Sequence, residues 1–187
     1  MKTALETIIK ILFLIAVASI LIVCITIFVA FGGGGLLAPN PPEPEITYGE
    51  FPIRIVFEIN GEKKTVEDTV ICEYDGFKIL GEAGKYRQWK AHLASGSERL
   101  TLLKIDDISE LYCWYGSPEY YMDDLLFDSS REDYEKLLEK NSLGLVSWAD
   151  GKLQGTVISR DEAEETYGLT IIDIQYSKPI VNSYPED

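Results

Sequence analysis

The chain of 187 residues carries 17 Lys plus Arg against 31 Asp plus Glu, a net charge of −14, with one histidine and three cysteines. So acidic a surface repels phosphate backbones, which excludes nucleic acid as a partner. One histidine and two well-separated cysteines beyond the N-terminal apolar run make no recognisable zinc ligand set.

Residues 1–10 form a short leader with Lys2 and Lys10. From Ile11 to Phe31 there follow 21 consecutive residues without a charge, which as a helix span about 31 Å, the thickness of a hydrocarbon core. A secretory signal has an apolar stretch of only about 7 to 15 residues, so a retained transmembrane helix over 11–31 is expected. Ala30-Phe31-Gly32 places small residues around a bulky one and leaves cleavage as the alternative. Cys24 is not a lipoprotein cysteine, because Val23 precedes it and more apolar residues follow; it reads as a small hydrophobe within the span. The first charges after the run are Glu43, Glu45 and Glu50, so the positive-inside rule predicts a cytoplasmic N-terminus and a single-pass protein of the cell membrane. With no ionisable residue in the span, its role is anchoring, not transport.

Residues 32–47 combine four glycines with four prolines and read as a linker that is flexible and then extended. Residues 48–187 remain as one extracytoplasmic domain, long enough for a proper core. From residue 39 onward there are 15 basic and 30 acidic side chains, a net charge of −15.

Within the domain, Ile53, Ile55, Phe57 and Ile59 alternate as in a half-buried strand, and Asn60-Gly61 turns the chain. The return strand carries Val66, Val70, Cys72 and Tyr74 on one parity, and Asp75-Gly76 is expected to turn again. The blocks FP, EINGE, TVEDT and ICE-x-DG in this order resemble small, single-span bacterial envelope proteins. The resemblance covers the first third of the ectodomain and, more loosely, the final helix and strand. It implies an envelope location; that group has no assigned activity, so no functional residue carries over.

Trp89, Ala91 and Leu93 alternate as in a strand, and a turn follows at Ser95-Gly96-Ser97. Leu100 to Ile105 and Leu111 to Tyr115 continue what is expected to be one antiparallel meander. Two short helices interrupt it. One runs from about Ser130 to Lys140 with Ser129 and Glu132 as a capping box; the other runs from about Arg160 to Tyr167, opened by Ser159 and Glu162 and ended by Gly168. Between them Asp150-Gly151 joins Leu145–Ala149 to Leu153–Ile158 as a second hairpin. Thr170–Tyr176 is the last strand, with Ile172 and Ile174 inward. The fold class is α+β: a mainly antiparallel β meander with two short helices, preceded by one transmembrane helix.

Chemistry is sparse. His92 is the only histidine and has no identifiable partner for triad logic, so no catalytic residue is assigned. No cofactor motif is present, because Gly81 and Gly84 are not followed by a phosphate-loop lysine. Asp123, Asp124 and Asp128 are a calcium candidate by ligand type, without EF-hand spacing. Trp114, Tyr115, Tyr120 and Tyr121, with Trp89, exceed what one strand face can bury. They read either as a binding surface or as cover for a helix-sheet junction. Cys72 and Cys113, an even pair outside the cytoplasm, invite a disulfide, with two buried free thiols as the alternative.

These residues favour a membrane-anchored extracytoplasmic module that binds a protein or envelope component without catalysis. The alternatives are a carboxylate-based envelope hydrolase or transferase, or an acidic inhibitor or immunity factor for a basic secreted protein. Partner identity and oligomeric state are left open.

Overall fold

The computed structural model describes residues 2–28, 34–80, 84–126, 130–140 and 142–185. They group into two compact units, Met1–Pro41 with Gly76–Gln88, and Pro42–Asp75 with Trp89–Asp187.

The first unit begins with α1 (Lys2–Phe28). Its stretch Glu6–Phe28, 23 residues of mean hydropathy 3.2, is long and apolar enough to cross a membrane and is exposed throughout. At 1.5 Å per residue it spans about 34 Å. A helix apolar on every side suits hydrocarbon and not a sheet face. Its polar side chains close internally, Ser19 Oγ donating to the Ile15 carbonyl at 2.8 Å and Thr26 Oγ1 to that of Ile22, which removes their need for water. By length and composition this helix fits a single-pass anchor or a signal sequence; residues 29–31 of the expected span lie outside the described residues. Part of the expected flexible linker is instead helical, as α2 (Gly34–Leu37). Near it, Lys85 Nζ donates to Asn40 Oδ1 at 2.9 Å and lies 5.1 Å from the centre of the Phe77 ring.

In the second unit, β1 (Tyr48–Ile59) and the part of β2 (Glu62–Ile79) up to Asp75 form the expected hairpin. Asn60 and Gly61 both take positive φ, 51° and 81°, as a two-residue primed turn requires. In the register, Phe51 faces Val70 and Ile55 faces Val66, so alternation on both strands delivers one apolar face. The second turn expected at Asp75-Gly76 is not made there: β2 runs on to Ile79, with Gly76 at φ 80° inside it. Then β3 (Lys85–Leu93) follows.

The single meander becomes two four-stranded sheets. One has the order β3-β2-β1-β8, where β8 is Leu169–Tyr176; the other runs β4-β5-β6-β7, with β4 Leu100–Lys104, β5 Glu110–Cys113, β6 Leu143–Ala149 and β7 Lys152–Ile158. One core draws on both sheets, with Phe51, Ile55, Phe57, Val70, Leu93, Leu111, Leu143 and Leu169 all buried. The class stays α+β and mainly antiparallel. Two helical turns join the two expected helices, α2 already described and α3 (Pro118–Tyr121).

Ile172 points outward, 50% exposed, contrary to the expected alternation. The ladder with β1 pairs Val56 with Asp173 but Phe57 with Ile171, so Ile172 is the extra residue of a bulge. A bulge shifts parity by one. Leu169 and Ile171 before it, and Ile174 and Tyr176 after it, therefore all reach the same core.

Helix α4 (Arg131–Lys140) starts one residue later than its expected cap implies: Ser130 Oγ accepts from the Asp133 amide at 3.0 Å. Ser129 of the expected capping pair lies outside the described residues. In α5 (Arg160–Tyr167), Ser159 Oγ accepts from the Glu162 amide at 3.0 Å and Gly168 closes the helix at φ 65°, as read from the sequence.

Candidate functional site

The aromatic stretch folds inward. Gly116, at φ 93°, lets the chain turn after β5, and Ser117 caps α3 by accepting from the Tyr120 amide at 3.3 Å. The short helix plants Tyr120 and Tyr121 in the core, with the Tyr121 ring stacked 4.6 Å from Phe51 and the Tyr120 ring 4.7 Å from Tyr134. Both hydroxyls are satisfied, Tyr121 donating to the Tyr115 carbonyl and Tyr120 to Glu135 Oε1 at 3.0 Å. Burial, joined in Tyr120 by the Glu135 carboxylate, pushes both phenols above their ordinary range. Trp89 is buried too, and its Nε1 donates to Asp124 Oδ2 at 2.8 Å. Trp89, Tyr120 and Tyr121 are thus core residues, of which Tyr120 also lines the cleft described below. Trp114 and Tyr115 are half-buried.

The acidic cluster is divided. Asp124 is buried against Trp89, whereas Asp123, at φ 58°, accepts from Arg131 Nη2 at 2.6 Å. Asp128 lies outside the described residues, and among the described residues no three possible ligands gather into a metal site. His92 is exposed on β3. Cys72 and Cys113 are buried free thiols, so the disulfide raised as a possibility is not formed. Burial pushes each thiol up to about 12.

The C-terminal segment straps this region. The Ile180 amide donates to the Tyr121 carbonyl at 3.0 Å, and Tyr184 Oη lies 2.9 Å from the Met122 carbonyl. The Glu45 amide donates to the Ser183 carbonyl at 3.0 Å, and Asn182 Oδ1 accepts from the Ile46 amide at 3.0 Å. The last residues of the expected linker are therefore pinned to the domain.

Besides a hollow of about 600 Å³ lined by Arg54, Glu67, Asp68 and Gln175 among others, two surface features can hold a ligand. A cleft of about 560 Å³ between α4, β8 and the start of α5 brings Glu135, Glu139 and Asp173 near Arg160 and Lys178; Arg160 Nη2 donates to the Glu139 carbonyl at 3.3 Å. The second feature is apolar. On the outer face of the second sheet, Trp148 opposite Leu153 and Val157 opposite Gly144 are cross-strand pairs. Trp148 is 59%, Leu153 49% and Val157 61% exposed, and Leu137 of α4 is 48% exposed. Beside them an uncharged groove of about 340 Å³ is lined by Tyr112, Trp114, Leu137, Leu143, Gly144 and Val157. Gly144 makes the groove possible: a Cβ there would lie 2.3 Å from Cζ of Tyr112, so the Tyr112 ring lies flat across the strand only because no side chain intervenes.

Of the residues singled out in the sequence, only Trp114 lines this groove. The sequence places Trp148, Leu153 and Val157 in a hairpin and Leu137 in a helix, with no sign that they share a surface. The available signal was that apolar residues occupy both parities of 143–148, so one set must face away from the core. No protein-family profile, no curated protein and no solved structure matches the chain.

Proposed function

We propose that this chain is a membrane-anchored, extracytoplasmic binding module that holds a protein partner on the outer face of its second sheet and catalyses no reaction. The observation that carries this reading is the uncharged groove with its apolar surround, Trp148, Leu153, Val157 and Leu137. Exposed aromatic and aliphatic side chains around a pocket are the usual form of an interface centre. With 30 acidic and 15 basic side chains from residue 39 onward, the rest of the surface repels acidic polymers and favours a partner that brings an apolar anchor residue within a neutral or basic rim.

The N-terminal helix holds the module at the cell membrane, with Lys2 and Lys10 on the cytoplasmic side. The topology test is protease added to intact cells, where the domain is removed and the N-terminus stays protected; soluble protein beginning near Gly33 would replace the anchor by a cleaved signal.

The binding test is cross-linked capture of envelope proteins by the full chain. We expect one partner that is lost with Leu137→Asp and retained with Ile172→Ser, a change on a different surface. Equal capture by both variants refutes the site. A second reading, a carboxylate-based hydrolase or transferase, draws on Glu135, Glu139 and Asp173 around the charged cleft. Turnover of an envelope polymer abolished by Glu139→Gln would favour it.

A further inference from the structure

Strand β7 ends its sheet, and its outer edge is built to pair. Hydrogen-bonded pairs alternate along an antiparallel hairpin, starting with the residues that flank a two-residue turn. Here Asp150 and Gly151 form that turn at φ 52° and 73°, and Ala149 and Lys152 flank it. Counting on, Gln154, Thr156 and Ile158 bond to β6, so Leu153, Gly155 and Val157 direct their backbone groups outward. From Lys152 to Val157 every residue but Gln154 is exposed.

Edge strands are ordinarily blunted by a charge, a proline or a covering element. From Leu153 to Ile158 this strand has neither charge nor proline. Past Lys152 at its start the edge is uncharged, on a domain of 28 acidic and 15 basic side chains with a net charge of −13, and two such domains meet there with least repulsion.

The order of residues identifies the occupant. Leu153-Gln154-Gly155-Thr156-Val157 has the same character in both directions: apolar, polar, glycine, polar, apolar. Antiparallel pairing with an identical strand about a two-fold axis at Gly155 sets Leu153 against Val157 of the other copy and Gln154 against Thr156. Gly155 faces its own counterpart. Like meets like on each face, the condition for an isologous interface. We propose that the β7 edge pairs two copies of this chain into a dimer with its axis at Gly155.

A five-residue strand pair covers less than the roughly 800 Å² a side of a standard interface. Confinement to one bilayer supplies the local concentration that the contact area lacks. The proposal uses the anchoring assigned above, and Leu153 and Val157 also belong to the groove's surround; vesicles that hold only this chain read the pairing apart from the groove's partner.

The test uses the full chain with Cys24→Ser, reconstituted in neutral phosphatidylcholine vesicles, whose co-flotation with the protein reports anchoring separately. Single cysteines replace Leu153, Gly155 or Val157, and oxidation is catalysed by copper phenanthroline. A Cβ at Gly155 meets nothing nearer than Tyr112 Oη at 3.7 Å, so Gly155→Cys fits the fold. In the dimer, the two copies of residue 155 lie about 5.5 Å apart by Cα, within reach of a disulfide. The two copies of residue 153, like those of 157, lie about 14 Å apart along the strands, out of reach.

We expect Gly155→Cys to cross-link at least tenfold faster than Leu153→Cys or Val157→Cys alone, and mixed vesicles of the latter two to cross-link with each other. Adding Leu153→Lys to Gly155→Cys should slow its cross-linking at least fivefold. Equal rates at the three positions, or no dimer with Gly155→Cys in vesicles that float with the protein, overturns the proposal. So does a Gly155→Cys adduct in native membranes whose mass is that of a different protein joined to this chain.

Discussion

Cys72 and Cys113 are both fully buried and both free. Their thiols ordinarily titrate at 9.0 and are pushed up to about 12, chiefly by loss of water; at Cys72 the Glu119 charge adds to this, and at Cys113 the Tyr176 hydroxyl and Arg160 partly oppose it. At pH 8 an ordinary thiol is about one-tenth thiolate, whereas these are about one ten-thousandth, and only the thiolate is nucleophilic. Alkylation of the folded chain should therefore be about a thousandfold slower than that of the unfolded chain, before any steric protection is counted. The assay is iodoacetamide at pH 8 on the full chain with Cys24→Ser in detergent micelles, read by intact mass. No label is expected in the time that labels the denaturant-unfolded chain twice, with no reductant added. Rapid labelling of the folded chain refutes the burial. Labels that enter the unfolded chain only after reduction show a disulfide and refute the free thiols. The sign of the linkage is definite: between pH 9 and 12 the unfolded chain has released these protons and the folded chain retains them. Stability is thus whole below pH 9 and falls with rising pH, by about 1.4 kcal/mol per thiol per pH unit.

Gly168→Ala forces a left-handed residue to carry a Cβ that lies 3.0 Å from Asn60 Oδ1; a loss of about 1 to 2 kcal/mol is expected in denaturant midpoints, and no change would remove the helix cap as a stabilising element. Ser142 Oγ is buried with no hydrogen-bond partner, so Ser142→Ala should be neutral or stabilising by up to about 1 kcal/mol, and a clear loss in the same assay would show that the hydroxyl is bonded. Ile172→Ser, on the bulged residue, should change stability by less than about 0.5 kcal/mol; a loss of 2 kcal/mol or more would place Ile172 in the core and refute the bulge.

The elements legible in the sequence are those set by neighbours along the chain. Alternation at Ile53, Ile55, Phe57 and Ile59 suffices for a strand, because the side-chain period of a strand is local. Asn60-Gly61 and Asp150-Gly151 suffice for their turns, because positive φ costs these residues little. Ser159 and Gly168 bound α5 for equally local reasons, a hydroxyl within reach of an amide and a missing Cβ. The 21 uncharged residues from Ile11 to Phe31 mark a segment suited to hydrocarbon by length alone.

What required the tertiary structure was every choice between partners distant in sequence. Sheet membership is one: β4 and β5 follow the first three strands in order but join β6 and β7 in a separate sheet, while β8 takes the free side of β1. Alternation states that a strand has a face, not which strand lies beside it. The parity of Ile172 is another, since a bulge appears only when two strands are set in register. Trp89, Tyr120 and Tyr121 show the same limit: an aromatic side chain suits an interior and an interface equally. Their burial depended on α3 turning them toward Phe51 and on Asp124 accepting the indole proton. With those aromatics inside, the exposed apolar residues that flank a groove are Trp148, Leu153, Val157 and Leu137, the first three on the face of β6 and β7 opposite the one that carries Leu143 and Ile158 into the core.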